Sequence, residues 1–452
     1  MVRNMTQGSV FGNLVSFSLP YLLSYFLQTL YGMADLFIIG QFEGVAGTTA
    51  VSIGSQVMHM VTVVLVGLAM GVTVSIGRSV GADDRKAAAR DIGNSVTLFL
   101  GVSVALMVVL LCLVHPIVSV MSTPQEAAAG TQRYLTVCFI GIPFITAYNV
   151  ISAIFRGLGD SRSPMYFIAA ACAANIVFDY LFIGGMGLGA VGAALGTTLA
   201  QTLSVIISLI VILRRKSGIR LSRQDLRPYR SVMGKIARIG VPVAFQDGLI
   251  QVAFLTITVI ANRRGLTDAA AVGIVEKVIT FLFLVPSSML AVVSALGAQN
   301  IGAKKPERAV ATLRYAVLIA VVFGLSVSVI MQFAAETVVA LFTDAAAADG
   351  AEVIRLGGQY LRGYVWDCVF AGIHFSFSGY FCAIGKSWIS FVHNITAIAL
   401  VRIPGVYLMS MLYSDTLFPM GCATAFGSFV SVVICVIAFA ILSRKEKRAG
   451  AG

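Results

Sequence analysis

The chain carries the stretch Arg78-Ser-Val-Gly81-Ala-Asp-Asp-Arg-Lys86-Ala-Ala, and the related stretch Gln299-Asn-Ile-Gly302-Ala-Lys-Lys-Pro-Glu307-Arg-Ala follows about 221 residues later. A second pair, Phe155-Arg-Gly-Leu-Gly159-Asp-Ser and Phe381-Cys-Ala-Ile-Gly385-Lys-Ser, is separated by about 226 residues. Landmarks that recur in the same order at a nearly constant distance indicate a duplicated module. Duplicated halves made of hydrophobic helices are typical of secondary transporters.

The composition places both halves in a membrane. The chain is 58% hydrophobic and 12% charged, with a mean hydropathy of +0.91, whereas a soluble domain carries about 25% charged residues. Apolar runs of about 20 residues, enough to cross about 30 Å of hydrocarbon, recur along the whole chain. A backbone in lipid must satisfy its own hydrogen bonds, and no segment alternates like a barrel strand. The spans are therefore predicted to be helices.

The predicted fold is an all-α integral membrane protein with twelve transmembrane helices in two pseudo-symmetric six-helix bundles. The predicted domains are a first lobe at 1–216, a basic cytoplasmic linker at 217–234 and a second lobe at 235–452. Six spans per half give both halves the same orientation, so their axis is expected along the membrane normal. The spans are predicted near 12–40, 51–77, 92–114, 134–155, 163–184, 190–213, 236–261, 269–297, 310–332, 358–382, 388–412 and 420–442.

Positive charge concentrates on one side of this predicted topology. Of the 32 lysines and arginines, 25 fall on the inner segments and five on the outer ones. The positive-inside bias then predicts a multi-pass protein of the cell membrane with both termini in the cytoplasm. The same distribution explains the net charge of +12, so we expect no nucleic-acid partner. The expected partners are small amphipathic molecules and membrane lipids, and the protein is expected to be a monomer.

Acidic and polar residues inside the first-half spans predict a cation site. A charged side chain in a span costs at least about 2.5–3.5 kcal/mol, so it needs a partner or a function. Tyr31 and Asp35 are four residues apart on one helix face, Asn175 and Asp179 repeat that spacing, and Thr197 adds a hydroxyl. These groups suit an all-oxygen cage for a small hard cation or a proton-sharing carboxyl pair. Hydrogen bonds that merely join helices are the alternative interpretation.

The second half has a different set of charges. Asp367 lies in the predicted tenth span, and Glu276 and Lys277 are adjacent in the eighth, where neighbours point about 100° apart. Either Lys277 or Arg402 could form a structural ion pair with Asp367. Otherwise Glu276 and Asp367, with Gln251 nearby, would line a cavity for a cationic substrate.

The sequence resembles the multidrug and toxic compound extrusion (MATE) family of antiporters over nearly the whole chain. The residues that carry the resemblance are Ala34-Asp35 followed by Gly40, Phe155-Arg-Gly-Leu-Gly-Asp160-Ser-Arg-Ser-Pro164, Asn175-Ile-Val-Phe-Asp179-Tyr-Leu-Phe-Ile, and Val365-Trp-Asp367.

The resemblance implies drug efflux driven by inward Na+ or H+, with no other cofactor and no enzyme activity. It implies that Asp35, Asn175 and Asp179, with Tyr31 and Thr197, form the coupling-cation site of the first lobe. If sodium is the ion, Asp35, Asn175 and Asp179 are its expected ligands. Pro20 matches the first-helix proline at which that helix bends, so it is the expected hinge.

One departure from the family and one competing function remain. Some members carry an acidic residue in the seventh span, where this chain has Gln246-Asp247 and Gln251. The competing function is a lipid-linked precursor flippase, or an exporter of an endogenous metabolite, of the same superfamily. A flippase would need several buried bases in the first bundle, which has acids instead. A membrane enzyme is disfavoured because the four histidines show no paired spacing.

Overall fold

The computed structural model describes residues 4–214, 221–343 and 349–449. In this part of the chain two short π-helical turns, Tyr180–Gly185 and Ile398–Arg402, follow directly after Asp179 and Ala397. The α-helices are α1 Val10–Phe42, α2 Val45–Gly81, α3 Arg85–Cys112, α4 Val114–Val120, α5 Gln125–Ile140, α6 Ile142–Gly157, α7 Arg162–Asp179, α8 Gly189–Arg214, α9 Arg230–Asn262, α10 Leu266–Leu282, α11 Leu284–Gly302, α12 Pro306–Ala340, α13 Gly350–Tyr364, α14 Asp367–Ala383, α15 Ser387–Ala397, α16 Ile403–Leu412 and α17 Phe418–Ala449.

The described helices form twelve segments, several of which are broken. Ten continuous or slightly broken helices of the described chain are long and apolar enough to span a membrane, and α5 with α6 forms a further segment bent by 50°. The remaining segment is α13 with α14, which carries Arg355, Arg362 and Asp367. The helix predicted near 358–382 corresponds to this segment, which begins earlier, at Gly350, and is broken just before Asp367.

The duplicated sequence produces duplicated backbone turns. Asp83 and Lys304 have left-handed φ angles of 56° and 57°, just after α2 and α11 end. Gly159 and Gly385 have φ angles of 85° and 74°, just after α6 and α14 end. A left-handed residue after the last turn is a common way to end a helix. The repeated landmarks therefore end corresponding helices in the two halves.

The two copies of the opening motif also touch each other. A Cβ placed on Gly81 would overlap the backbone carbonyl of Gln299, and one on Gly302 would overlap the carbonyl of Arg78. Only glycine allows backbones to approach this closely. These two glycines therefore let the ends of α2 and α11 pack directly together.

The chain divides into two compact units that are not contiguous in sequence. The start of α1 belongs to the second unit and the end of α11 to the first, unlike the predicted lobes, which were continuous stretches. The first unit consists of Met1–Gly8, Val15–Ala244 and Ala298–Lys305, and the second of Ser9–Leu14, Phe245–Gly297 and Pro306–Gly452.

The predicted linker is docked on the first unit where the structure describes it. Residues 217–220 lie outside the described part, and α9 begins at Arg230, earlier than the predicted 235. The Asn94 side chain donates to the carbonyl of Asp225 at 3.1 Å and accepts from the backbone N–H of Tyr229 at 2.7 Å. Arg90 lies over the Tyr229 ring, 5.2 Å from its centroid. This segment is therefore held against α3.

Each unit has its own apolar core, and each core lies beside a polar cluster. In the first unit, Ile38, Leu135 and Ile142 belong to a core of fully or almost fully buried side chains. In the second unit, Tyr360 and Tyr364 lie in the corresponding core. Many large apolar side chains are exposed instead, including Leu100 and Phe333. This is expected where the surrounding medium is lipid.

Candidate functional site

In the first unit, α1, α7 and α8 bring the predicted cation-site residues together. The hydroxyl of Thr197 donates to Oδ2 of Asp35 at 3.1 Å. The side-chain amide of Asn175 donates to Oδ1 of Asp179 at 3.4 Å, one helical turn along α7. Asp35 and Asp179 both lie against α8, since Thr197 bonds to Asp35 and the neighbouring Gly196 packs on Oδ1 of Asp179. Two carboxyls from different helices therefore share one site.

The site is buried, and several of its polar atoms lack hydrogen-bond partners in the part of the chain that the structure describes. Asp35 is 3% exposed, and Asn175 and Asp179 are fully buried. Four of its oxygens have no hydrogen-bond partner among the described residues: Tyr31 OH, Asp35 Oδ1, Asn175 Oδ1 and Asp179 Oδ2. Buried polar atoms are nearly always partnered, so four unpartnered oxygens in one place need an explanation. An exchangeable cation or a proton would satisfy them.

No base neutralises the two carboxyls. Within the described ranges, neither Asp35 nor Asp179 forms an ion pair with a lysine or arginine. Two adjacent carboxylates repel each other, and in a buried site both cannot stay ionised without a cation. The donor set consists of carboxyl, amide and hydroxyl oxygens, which are the ligands of hard cations. No group of three or more His, Cys, Asp or Glu side chains in the described part is placed to hold a metal ion.

A glycine and a π-helical turn make room for this arrangement. A Cβ on Gly196 of α8 would overlap Oδ1 of Asp179. One turn earlier, Gly192 packs on the backbone of Phe182, inside the π-helical turn that begins after Asp179. The GxxxG pattern thus places α8 directly against the carboxyl-bearing helix. From the sequence, Gly192 and Gly196 predicted only a close contact between helices. Nothing in the sequence indicated that the Asp179 carboxyl packs against Gly196.

Pro20 lies inside α1, well before Asp35 in the same helix. Its carbonyl accepts a hydrogen bond from the hydroxyl of Ser24 at 2.8 Å. Next to it, the Tyr21 ring lies under the guanidinium of Arg156, with 5.0 Å between the centroid and Cζ. Proline removes one backbone donor from the helix at this position, and its role as a hinge stays a prediction.

The second unit contains a contrasting polar cluster around Asp367 and Arg402. Both residues are buried, and a guanidinium nitrogen of Arg402 lies 3.0 Å from Oδ2 of Asp367. The same nitrogen donates to the Tyr364 hydroxyl at 3.0 Å. Lys277 is exposed, so of the two bases considered for this pair, Arg402 is the one that forms it.

The other predicted cavity residues are Glu276 and Gln251. In the described part of the chain, neither is hydrogen-bonded to Asp367 or Arg402. Both carboxyl oxygens of Glu276 accept from the Thr258 hydroxyl at 3.1 Å. Gln251 is half-buried on α9. Glu276 is therefore held by a neutral donor, whereas Asp367 is held by a charged one. Their assignment to a substrate cavity stays a prediction.

Comparison with known proteins identifies the family. A family model described as MatE matches residues 20–181 and 242–408, which together make up more than half of the chain. The chain belongs to the MATE family. It is therefore a multi-pass membrane transporter, as the duplicated hydrophobic halves predicted.

Similar proteins of this family span nearly the same length. The MATE relative named probable multidrug resistance protein YpnP, from Bacillus subtilis (strain 168), is 27% identical over 407 residues and covers 90% of each chain. The multidrug export protein MepA from Staphylococcus aureus (strain NCTC 8325 / PS 47) is 25% identical over 413 residues, which is 90% of this chain and 89% of that protein.

Solved MATE structures share the fold. A MATE transporter in the bent conformation superposes with a TM-score of 0.91 at 22% identity, over 99% of this chain and 98% of that one. The outward-facing conformation of a multidrug resistance MATE family transporter gives a TM-score of 0.90 at 22% identity, over 98% of both chains. These likenesses agree with the all-α architecture of twelve helices in two bundles.

Proposed function

We propose that this MATE transporter exports amphipathic organic cations across the cytoplasmic membrane in exchange for Na+ or H+. The names of its relatives YpnP and MepA support multidrug export. The observation that carries the ion-coupled part is the buried, unneutralised pair of Asp35 and Asp179 with its unpartnered oxygens. Such a pair is stable in a membrane only when it holds a proton or a cation.

Exchange follows from the requirements of this site. When Asp35 and Asp179 hold an ion, their mutual repulsion is relieved and the packing of α1 against α7 and α8 is favoured. When the ion leaves, the two carboxyls repel each other and favour a different arrangement of α1. An ion that binds one arrangement more tightly shifts the population by its difference in affinity. Transport by alternating access, with Pro20 as the bending point of α1, would use that shift.

The second unit supplies the charge for substrate recognition in this proposal. Since Asp367 is paired with Arg402, Glu276 is the acid of this cluster that forms no ion pair with a described residue. We expect Glu276, with Gln251 and the Asp367 region, to attract the positive group of the substrate. By the positive-inside bias both termini face the cytoplasm, and the exporter works as a monomer among membrane lipids.

The test is efflux of a fluorescent cation from everted vesicles, with Na+ and pH gradients imposed separately. We expect accumulation of the dye that depends on one of the two gradients and disappears in vesicles with Asp35→Asn. No gradient-dependent movement of any cationic dye, with the protein confirmed in the membrane, would refute the proposal. Movement of a lipid-linked precursor in the same vesicles would instead support the flippase alternative.

A further inference from the structure

The Arg402 side chain is buried among residues of several helices. It donates to Asp367 and to the Tyr364 hydroxyl, and its Cζ lies 5.5 Å from the ring centroid of Phe254 and 5.7 Å from that of Tyr364. A Cβ on Gly427 of α17 would overlap Cβ of Arg402, so α17 also packs directly on this residue. A guanidinium held in this way is fixed in place, and arginine keeps its charge in proteins.

Arg402, like Asp179, lies at a π-helical turn of its own unit. Asp179 precedes the π-helical turn Tyr180–Gly185, and Arg402 is the last residue of the π-helical turn Ile398–Arg402. In each unit a glycine of another helix, Gly196 of α8 or Gly427 of α17, lies against the charged residue. One half thus has a carboxyl at such a turn, and the other half has a guanidinium.

We infer that Arg402 is a built-in cation, fixed beside Asp367 where an exchangeable ion would otherwise be needed, so that Asp367 takes no coupling ion. This inference rests on the proposed function, because it assumes that the Asp35–Asp179 site takes the ion. Arg402 pairs with Asp367, whereas Glu276 accepts hydrogen bonds from Thr258. Asp367 therefore has a counter-ion from its own unit and need not recruit a proton or Na+.

Removing the built-in cation should create a second ion site. In Arg402→Met, Asp367 loses its charged partner, and a buried carboxylate left alone binds a proton or a cation. The matched controls are Arg402→Lys, which keeps a tethered charge, and the charge-balanced variant Arg402→Met with Asp367→Asn, which keeps none. Both controls should bind no extra ion, so a gain confined to Arg402→Met cannot come from altered packing alone.

The experiment counts ions bound to purified full-length protein in detergent, by potentiometric titration for protons and equilibrium dialysis for Na+. We expect the wild type to bind one ion more than the variant with both Asp35→Asn and Asp179→Asn, and we expect the lost ion to return when Arg402→Met is added to that double variant. That regained ion should disappear when Asp367→Asn is added.

Two results would overturn the inference. One is an ion that remains bound in the Asp35→Asn, Asp179→Asn variant and is lost on adding Asp367→Asn, because Asp367 would then take an ion despite Arg402. This result is informative even if the Arg402 variants fail to fold. The other is a folded Asp35→Asn, Asp179→Asn, Arg402→Met protein that binds no more ions than the same protein without Arg402→Met. Failure of the proposed function would look different, since the wild type itself would then bind no ion that depends on Asp35.

Discussion

In the first unit a buried carboxyl shares its site with another carboxyl, whereas in the second unit a buried carboxyl is paired with an arginine. In each unit a glycine of a neighbouring helix packs on one of the charged residues, Gly196 on Asp179 and Gly427 on Arg402. Taking a charge out of water is unfavourable unless it is paired. In the second unit the positive charge that balances the acid is Arg402 of the same chain. The described part of the first unit has no such base, so the charge on its carboxyls must be balanced by a bound proton or cation.

Because of this difference, neutralising a buried acid should have different consequences in the two units. An acid whose partner is exchangeable can be neutralised without harm to the fold, but the function that depends on exchange is lost. An acid whose partner is fixed cannot be neutralised alone, because the arginine then remains buried without its counter-ion. Function should therefore be sensitive in the first unit and stability in the second.

The largest expected effect is on transport in the first unit. Asp35→Asn and Asp179→Asn should each reduce gradient-driven dye efflux to the background of vesicles that lack the protein. The double variant should be no worse than either single one, because both carboxyls serve one site. Wild-type efflux by either single variant, at equal amounts in the membrane, would show that the two acids only join helices.

The next effect is on stability in the second unit. Asp367→Asn leaves the Arg402 guanidinium buried without a counter-ion, which should lower the free energy of unfolding by about 3–5 kcal/mol. Adding Arg402→Met should restore most of the loss. Thermal unfolding of the purified variants measures this, with Asp35→Asn as the matched control that keeps the wild-type Tm. If Asp35→Asn is destabilised as much as Asp367→Asn, the two units do not differ in this way.

A smaller effect should follow from filling the gap beside Asp179. The methyl group of Gly196→Ala would push the carboxyl out of position, and displacement of a functional group by about 1 Å can weaken its action roughly a hundredfold. We expect Na+ or proton affinity to fall by at least roughly tenfold. The control is Gly101→Ala on α3, where a Cβ would meet no atom within 4 Å. Equal affinities in the two variants would contradict the close packing of α8 on this site.

The smallest effect concerns one hydrogen bond. Thr197→Val removes the hydroxyl that donates to Asp35, and a hydrogen bond to a charged group contributes roughly 1.5–3 kcal/mol. Ion affinity should fall by about tenfold, which corresponds to 1.4 kcal/mol. Thr198→Val is the neighbouring control, because its hydroxyl has no partner in the described part of the chain. A larger loss in Thr198→Val than in Thr197→Val would refute the assigned geometry.

Helical spacing predicted the contents of the first-unit cluster well. Four-residue intervals place Tyr31 with Asp35, and Asn175 with Asp179, on single faces, since the helix period fixes that relation. The hydroxyl of Thr197 was expected to join these groups because it lies in another polar span, and the structure places it in contact with Asp35. The contribution of Gly196 was not predicted, because the space beside a glycine depends on a second helix.

The second unit was less predictable because its contacts join distant helices. The sequence left Lys277 and Arg402 as equal candidates for Asp367, and only the fold separates them. It also treated the histidines as scattered, yet His374 and His393 lie with ring centroids 5.6 Å apart. His393 bonds to the hydroxyls of Ser378 and Ser431 at 2.9 and 2.6 Å. No local spacing encodes such pairs, so no periodicity could have revealed them.

The division of roles between the units can be decided in proteoliposomes with an imposed Na+ or pH gradient. Two proteins are compared: Asp35→Asn, and the charge-balanced variant Asp367→Asn with Arg402→Met. We predict that the first shows no gradient-driven efflux of a cationic dye, whereas the second retains it, with at most a changed affinity or range of substrates. Gradient-driven efflux by Asp35→Asn, together with its loss in the folded charge-balanced variant, would place ion coupling in the second unit and contradict this division.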